Sequence, residues 1–431
     1  MNFVLKCLLI LLFFISGNSL AQQQYSLQDL INSALKKNAD ILISNSNISI
    51  AELNQKKSVA ELLPKFNAEG GYIYTDEKNG LSVYAGANGK NELIALLSMQ
   101  QTIFDPDVLY QFNAGSISNE KQLILNSETK QAVIQNVIDA YFTVLKFKNE
   151  KKILTENLEA FRLLYKQSKL LFETGTVPEI DVKKSKVEML LQKNSLNEAN
   201  KNYIAAYNYL KELIGLSFSD SLSLAEFNVS TVFLDSLSVY QNSSWQNRPD
   251  WKLLETDQKL NRILETTTFL KHLPTISGNL FYGWDVVQPP DRNNLGFQAV
   301  VTMSLPLWHW GSISADNQIA QIKTMQNDYL SRKLRIRIMQ EIENAYNEAK
   351  LQKAQIEAMS ESKTEAQLAV EMAKVGYKEG TITNLELINT QKLYTQSQME
   401  YLKALYNFYL AKVKLFKSLG RLKEDMSCIE E

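Results

Sequence analysis

Phe172-Glu173-Thr174-Gly175-Thr176-Val177-Pro178 and Tyr377-Lys378-Glu379-Gly380-Thr381-Ile382 are the two passages that decide the fold. They hold nearly all the chain breakers in two long stretches. Between Gly115 and Gly215 the one glycine is Gly175, and the one proline, Pro178, follows it closely. Between Gly311 and Gly420 there is no proline, and the glycines are Gly376 and Gly380. Glycine and proline are the strongest punctuators of regular structure, so each stretch reads as a helix, a tight turn and a returning helix. At 1.5 Å per residue, a helix over 116–174 runs roughly 90 Å.

Periodicity supports two helical hairpins, expected at 107–214 and 312–419. Val133, Val137, Ala140, Val144, Phe147, Lys151, Leu154, Leu158, Phe161, Tyr165, Ser168 and Phe172 alternate spacings of four and three without a slip. A seven-residue repeat held this long favours helices that wrap around neighbours. A shift of 205 residues finds a second stripe: Ile338, Ile342, Ala345, Ala349, Gln352, Ile356, Met359, Lys363, Ala366, Val370, Ala373 and Tyr377. The same shift aligns the two turns and carries Leu213-Ile214-Gly215 onto Ser418-Leu419-Gly420. Upstream the offset drifts to 210, where Leu62-Leu63-Pro64 meets His272-Leu273-Pro274. That period is far longer than a solenoid repeat, so the chain holds two copies of one whole unit. The expected layout is a first repeat at 22–216, a linker at 217–244, a second repeat at 245–425 and a tail at 426–431.

After each Leu-Pro come two stretches of strand character, about 65–75 with 92–104, and 275–286 with 295–307. Ile276, Gly278, Leu280, Tyr282, Trp284 and Val286 alternate with a more polar set, and Leu295, Phe297, Ala299, Val301, Met303, Leu305 and Leu307 do the same. Phe66, Ala68, Tyr72 and Tyr74 repeat the pattern; 92–104 is less clean because Leu93 to Leu97 is apolar on both faces. Polar, turn-rich segments, Asp76–Asn91 and Gln288–Asn294, join the pairs. Period two with one apolar face over about 10 residues suits a membrane strand, and a soluble sandwich shows the same alternation. Tyr72, Tyr74, Trp284, Trp308 and Trp310 are candidates for interfacial aromatic girdles. If the strands lie in a membrane, four of them cannot close a barrel, and open edges in lipid cost several kcal/mol per unsatisfied group. Two chains would supply eight strands and three would supply twelve; about eight leaves an interior filled by side chains, while wider barrels leave a channel.

The N-terminus places this chain outside the cytoplasm. Lys6, an apolar run from Cys7 to Ile15 and Ser19-Leu20-Ala21 read as a cleaved secretory signal over 1–21. Its removal leaves Cys428 as the remaining cysteine, so no intramolecular disulfide is expected. No other apolar run approaches the roughly 20 residues a membrane helix needs. With 46 basic and 47 acidic residues the charge balance gives no footprint for nucleic acid. His272 and His309 have no catalytic partner nearby in sequence, and no phosphate loop, zincin or C-x-x-C motif is present. No enzyme activity, metal or cofactor is expected.

Duplicated halves, two strands per half and a long hairpin per half, with the turns quoted above, resemble the TolC family of outer-membrane efflux proteins over essentially the whole mature length. The resemblance implies a mixed α and β fold: long antiparallel hairpins forming a trimeric α-barrel in the periplasm, and four strands per subunit given to a 12-stranded transmembrane β-barrel. It implies a homotrimer that docks to a periplasmic adaptor and an inner-membrane pump, in outer-membrane lipid, as a passive duct for efflux or type I secretion. The hairpin tips, Gly175, Thr176, Val177, Gly380, Thr381 and Ile382, would then meet the adaptor. Tyr377, Glu386 and Asp181 would form the periplasmic constriction, and the next acidic ring position falls on neutral Asn389. Glu386 and Asp181 also suit a helix start, where carboxylates face the macrodipole. The rival reading is a soluble periplasmic coiled-coil adaptor, which would lack a duplicated pair of lipid-faced strands.

Overall fold

The computed structural model describes residues 24–74, 91–225, 234, 236–241, 245–286 and 295–422. The expected signal at 1–21, the strand-joining loops and the tail with Cys428 lie outside the described residues, apart from Asn91. The chain runs β1 (Gln24–Tyr25), α1 (Leu27–Lys37), α2 (Ala39–Ala60), β2 (Lys65–Tyr74), β3 (Asn91–Phe104), α3 (Pro106–Glu173), α4 (Glu179–Leu213), β4 (Ser223–Leu224), α5 (Leu237–Gln241), α6 (Pro249–Leu270), β5 (Thr275–Val286), β6 (Gly296–Ser304), α7 (Ser312–Lys378) and α8 (Asn384–Ser418). Two compact units share these elements. One comprises the described parts of Met1–Leu42, Thr129–Arg248 and Ile338–Glu431; the other comprises Ile43–Glu128 and Pro249–Arg337.

The first unit is all hairpin and hairpin support. Of the α3 stripe, Val133, Val137, Ala140, Val144, Leu154, Leu158, Phe161 and Ser168 are buried. The α7 stripe is buried more completely, from Ile338 to Tyr377, with only Met359 and Lys363 half-exposed. Its alanines therefore mark close packing rather than a weaker face. Leu30, Ile31 and Ala34 of α1 join Val137, Tyr141, Phe142, Phe408 and Tyr409 in the main core. There Phe142 stacks on Tyr409 at 5.4 Å between ring centroids. Burial pushes the Tyr141 phenol up to about 12. The linker is partly built: β4 pairs in parallel with β1.

Internal symmetry reappears where each hairpin returns. Gly215 and Gly420 both take positive φ, 68° and 66°, and each closes its helix with the same pair of backbone bonds. These are left-handed C-terminal caps, which glycine adopts without a β-carbon penalty. The last carbonyls are then taken by the start of each repeat. Asn38 Nδ2 donates to the Leu213 carbonyl at 3.0 Å, and Arg248 Nη1 donates to the Ser418 carbonyl at 2.9 Å. Asn38 and Arg248 stand 210 residues apart and their acceptors 205 apart, so one anchoring position is filled by two different side chains. Arg248 also donates Nη2 to Glu341 at 2.8 Å.

The second unit holds one antiparallel sheet ordered β2-β3-β5-β6. Its register places Phe66 beside Met99, Ala68 beside Leu97 and Tyr72 beside Leu93. Continuing across, Leu97 meets Tyr282 and Met99 meets Leu280, then Leu280 meets Ala299 and Ile276 meets Met303. Side chains alternate across a strand, so all of these share one apolar face. The other face carries Lys65, Asn67, Glu69, Ser98, Gln100, Ser277, Asn279, Gln298 and Thr302, with Ile73, Ile94, Leu96, Phe281 and Val300 as apolar exceptions. Helices enter and leave at one end of the sheet, where Lys271 bridges to Asp107 at 2.9 Å. β6 ends at Ser304, short of the expected 307.

Arg248→Ala removes the donor to the Ser418 carbonyl at a site where the arginine side chain is 12% exposed. Unpaired buried polar groups cost about 1–3 kcal/mol. Urea unfolding followed by helical circular dichroism should show that loss for Arg248→Ala, and about 1 kcal/mol for Asn38→Ala. An unchanged midpoint for both would mean the anchors are dispensable.

Candidate functional site: hairpin tips and strand sheet

The two tips are built alike. α3 and α7 end in glycines at φ 74° (Gly175) and 75° (Gly380). Thr176 N donates to the Leu171 carbonyl at 2.8 Å, and Thr381 N donates to the Gly376 carbonyl at 2.9 Å. Nothing lies within 4 Å of a β-carbon placed on either turn glycine, so glycine is there for its backbone and not for a close approach. Gly175, Thr176, Gly380 and Thr381 are exposed, while Val177 and Ile382 are half-buried. The returning helices start differently. Thr383 caps α8, its hydroxyl accepting from Glu386 N at 3.2 Å, whereas Pro178 offers α4 no side-chain cap.

Glu386 is exposed in the first turn of α8, Asn389 is exposed one turn on, and Asp181 is half-buried in the first turn of α4. Both carboxylates therefore sit where the helix dipole favours them. Tyr377, by contrast, is 4% exposed. Its hydroxyl lies 3.1 Å from Ser168 Oγ, and Ser168 Oγ lies 3.0 Å from Ser185 Oγ. Asn384 Nδ2 donates to Ser185 Oγ at 3.1 Å and to the Asp181 carbonyl at 3.0 Å. Desolvation raises the Tyr377 phenol above its usual range, against the Ser168 hydrogen bond, with the nearby Asp181 charge adding to the rise. So Tyr377 and Asp181 are brought into one cluster, but Asp181 enters it through its backbone. Ser185 and Asn384 have no signal in the sequence: each is a small polar residue on a helix, and only the fold makes them partners.

The same pairing continues along the hairpins. Gln391 Nε2 donates to Asn157 Oδ1 at 3.0 Å, and Asn157 Nδ2 donates to Gln192 Oε1 at 2.8 Å. Lys392 bridges to Glu188 at 2.6 Å, and Asn149 Nδ2 donates to the Tyr406 hydroxyl at 2.7 Å. Each of these sets joins the first hairpin to the second. Near the tips the apolar cluster is small, with Phe161, Leu164, Ala373, Tyr377, Leu387 and Ile388, so polar rungs carry much of the specificity there.

The sheet is the second candidate site. Its apolar face is solvent-accessible in the single chain: Phe66 74%, Phe297 68% and Val301 74% exposed. A contiguous apolar surface on this scale marks a contact with something other than water. Tyr72, Tyr74 and Trp284 stand at the loop end of this face, with the Tyr72 hydroxyl donating to Asn91 Oδ1 at 2.9 Å. Trp308 and Trp310 lie beyond β6, at the helix end, their rings 5.7 Å apart. Among the described residues no helix is long and apolar enough to cross a membrane. Among them, too, no group of His, Cys, Asp and Glu is placed to hold a metal. His272 Nδ1 lies 3.0 Å from the Phe269 carbonyl, and His309 is exposed.

A family model for outer membrane efflux proteins matches residues 30–216 and 270–421. The chain belongs to that family; it is an efflux channel protein of the outer membrane. It is 22% identical to the outer membrane protein TolC of Escherichia coli K12 over 417 residues, covering 93% of this chain and 82% of TolC. Among solved structures it resembles the Campylobacter jejuni CmeC outer membrane channel, with a TM-score of 0.79 at 19% identity, covering 93% of this chain and 90% of that one. The open state of the Neisseria gonorrhoeae MtrE outer membrane channel scores 0.77 at 17% identity, covering 93% and 90%. These matches support the channel fold over a soluble adaptor.

A double-mutant cycle separates the Tyr377 partners. Tyr377→Phe with Ser168→Ala should show a coupling of about 1 kcal/mol in chemical unfolding, within the range for neighbours in one network. Tyr377→Phe with Asp181→Ala should be nearly additive, since the Asp181 carbonyl survives the substitution. The reverse pattern would place the tyrosine hydroxyl on the carboxylate instead.

Proposed function

We propose that three chains pool their sheets into one 12-stranded barrel, the β6 edge of each beside the β2 edge of the next, with the apolar face in lipid. The carrying observation is the combination already described: an exposed apolar face on a four-stranded sheet with two open edges. Twelve strands leave a water-filled bore where eight would be filled by side chains. The hairpins continue the duct into the periplasm, and their tips, Thr176 and Thr381 among them, meet a periplasmic adaptor coupled to an inner-membrane pump. The chain itself is a passive, non-catalytic conduit that needs no cofactor, so its substrate is chosen by the pump.

The constriction forms where the tips converge. Glu386 repeated around the axis sets a ring of negative charge, and the neutral Asn389 leaves the next ring uncharged. The Tyr377–Ser168–Ser185–Asn384 cluster keeps the two hairpins of a subunit together and so holds the mouth narrow. An adaptor that binds the parted arrangement better shifts the population toward open.

Planar-bilayer recording tests this. Tyr377→Phe with Asn384→Ala removes two hydrogen-bonding groups of the clasp and should raise single-channel conductance several-fold, while Glu386→Ala should weaken cation preference. Photo-crosslinkers at Thr176 and Thr381 should capture an adaptor. Wild-type conductance from a double variant that is still assembled would move the gate elsewhere.

A further inference from the structure

A cavity of about 130 Å³ lies between the two hairpins, beside the tip clasp. Its floor is apolar and buried: Phe161 and Leu164 come from α3, and Leu387 from α8. Polar side chains share the lining, Gln167 of α3 with Lys374 and Lys378 of α7. Both lysines are exposed, so their methylenes cover apolar wall while the ammonium ends reach water at the mouth. Among the described residues neither lysine has an ion pair, and Gln167 has no hydrogen-bond partner. Glu371, one turn before Lys374, accepts from Gln367 instead, at 3.3 Å. The lysines stand at i and i+4 on one helix face, where like charges repel. The helix dipole accounts for Lys378 in the last turn of α7, since cations suit that end. It does not account for a second ammonium one turn earlier.

Floor and mouth together ask for one kind of ligand. A void of about 150 Å³ walled by Leu, Ile and Phe stays dry and takes a single benzene ring, so the size here suits one ring. An inorganic anion would leave the apolar floor uncovered, and a neutral ring would leave the two ammonium groups repelling. A carboxylate meets both lysines and the Gln167 amide through charge-assisted hydrogen bonds, which are the strong ones. We propose that the cavity binds a small aromatic carboxylate, its ring on Phe161, Leu164 and Leu387 and its carboxylate on Lys374, Lys378 and Gln167. Such a ligand touches α3 of the first hairpin and α7 and α8 of the second, so its binding favours the clasped tip. That consequence rests on the gating proposed above; the site itself does not.

The probe is 4-fluorobenzoate, followed by its fluorine NMR line width on the assembled full chain in detergent, with 4-fluorotoluene as the control for partition into micelles. The carboxylate should titrate one saturable site per chain, and the neutral ring should not. Lys374→Gln with Lys378→Gln, both on the surface, should weaken binding about tenfold through the loss of charged hydrogen bonds. Ala160 also lines the cavity, and Ala160→Leu, which fills the void and keeps both lysines, should weaken binding as much. Unchanged binding in the lysine variant would put the probe in the micelle or on another apolar surface, and would overturn the site. Unchanged binding in Ala160→Leu would leave a surface ion pair alone, and would overturn it too. Saturating probe should also return the conductance of Tyr377→Phe with Asn384→Ala toward wild type. Conductance that stays raised with binding intact overturns the gating consequence and leaves the site; if that variant never opens, the gating reading fails while the titration still decides the site.

Discussion

A backbone amide or carbonyl left unpaired in the interior of a bilayer costs several kcal/mol, and the sheet β2-β3-β5-β6 has a row of them along each outer edge. In water such edges are satisfied by solvent, but the apolar face beside them, from Phe66 across to Val301, is not served by water. The two requirements have one joint solution: lipid against the face and other strands against the edges. Subunit association follows from that constraint.

The hairpins answer a different demand. A long coiled-coil seam made only of apolar residues would pack in several registers, and buried polar residues select one at some cost in stability. Here Tyr377 near the end of α7, and Asn384 and Gln391 one heptad apart on α8, are each bonded to the first hairpin. Such rungs are strong while satisfied and leave costly unpaired groups once parted. In the gating proposed above, the tip region is either clasped, or opened with water and a partner taking over the hydrogen bonds.

Much of this was legible from residue types alone. Gly175 and Gly380 mark the turns because only the left-handed region closes those helices, and the 205-residue offset holds down to individual backbone bonds. The strand alternation also marked the apolar face of the sheet. Partnership across the fold was not legible. Phe172 and Tyr377 are equivalent by repeat, yet the fold exposes one by 42% and buries the other to 4%. Tyr377 packs among Phe161, Leu164, Ala373, Leu387 and Ile388, with its hydroxyl on Ser168. Asn38 and Arg248 do the same anchoring work with unlike side chains. Periodicity reports which face is buried; it carries no information on which of two repeats supplies a hydrogen bond.

The claim on which the rest depends is that the sheet edges are closed by other copies of the chain. The direct measurement is the protein mass of the detergent-solubilised particle by light scattering with the detergent contribution subtracted, taken on the sample whose circular dichroism shows the β signal. The expected result is three chains per particle, stable to dilution. A single chain with the β signal intact would mean that the edges need no partner, and would contradict the account.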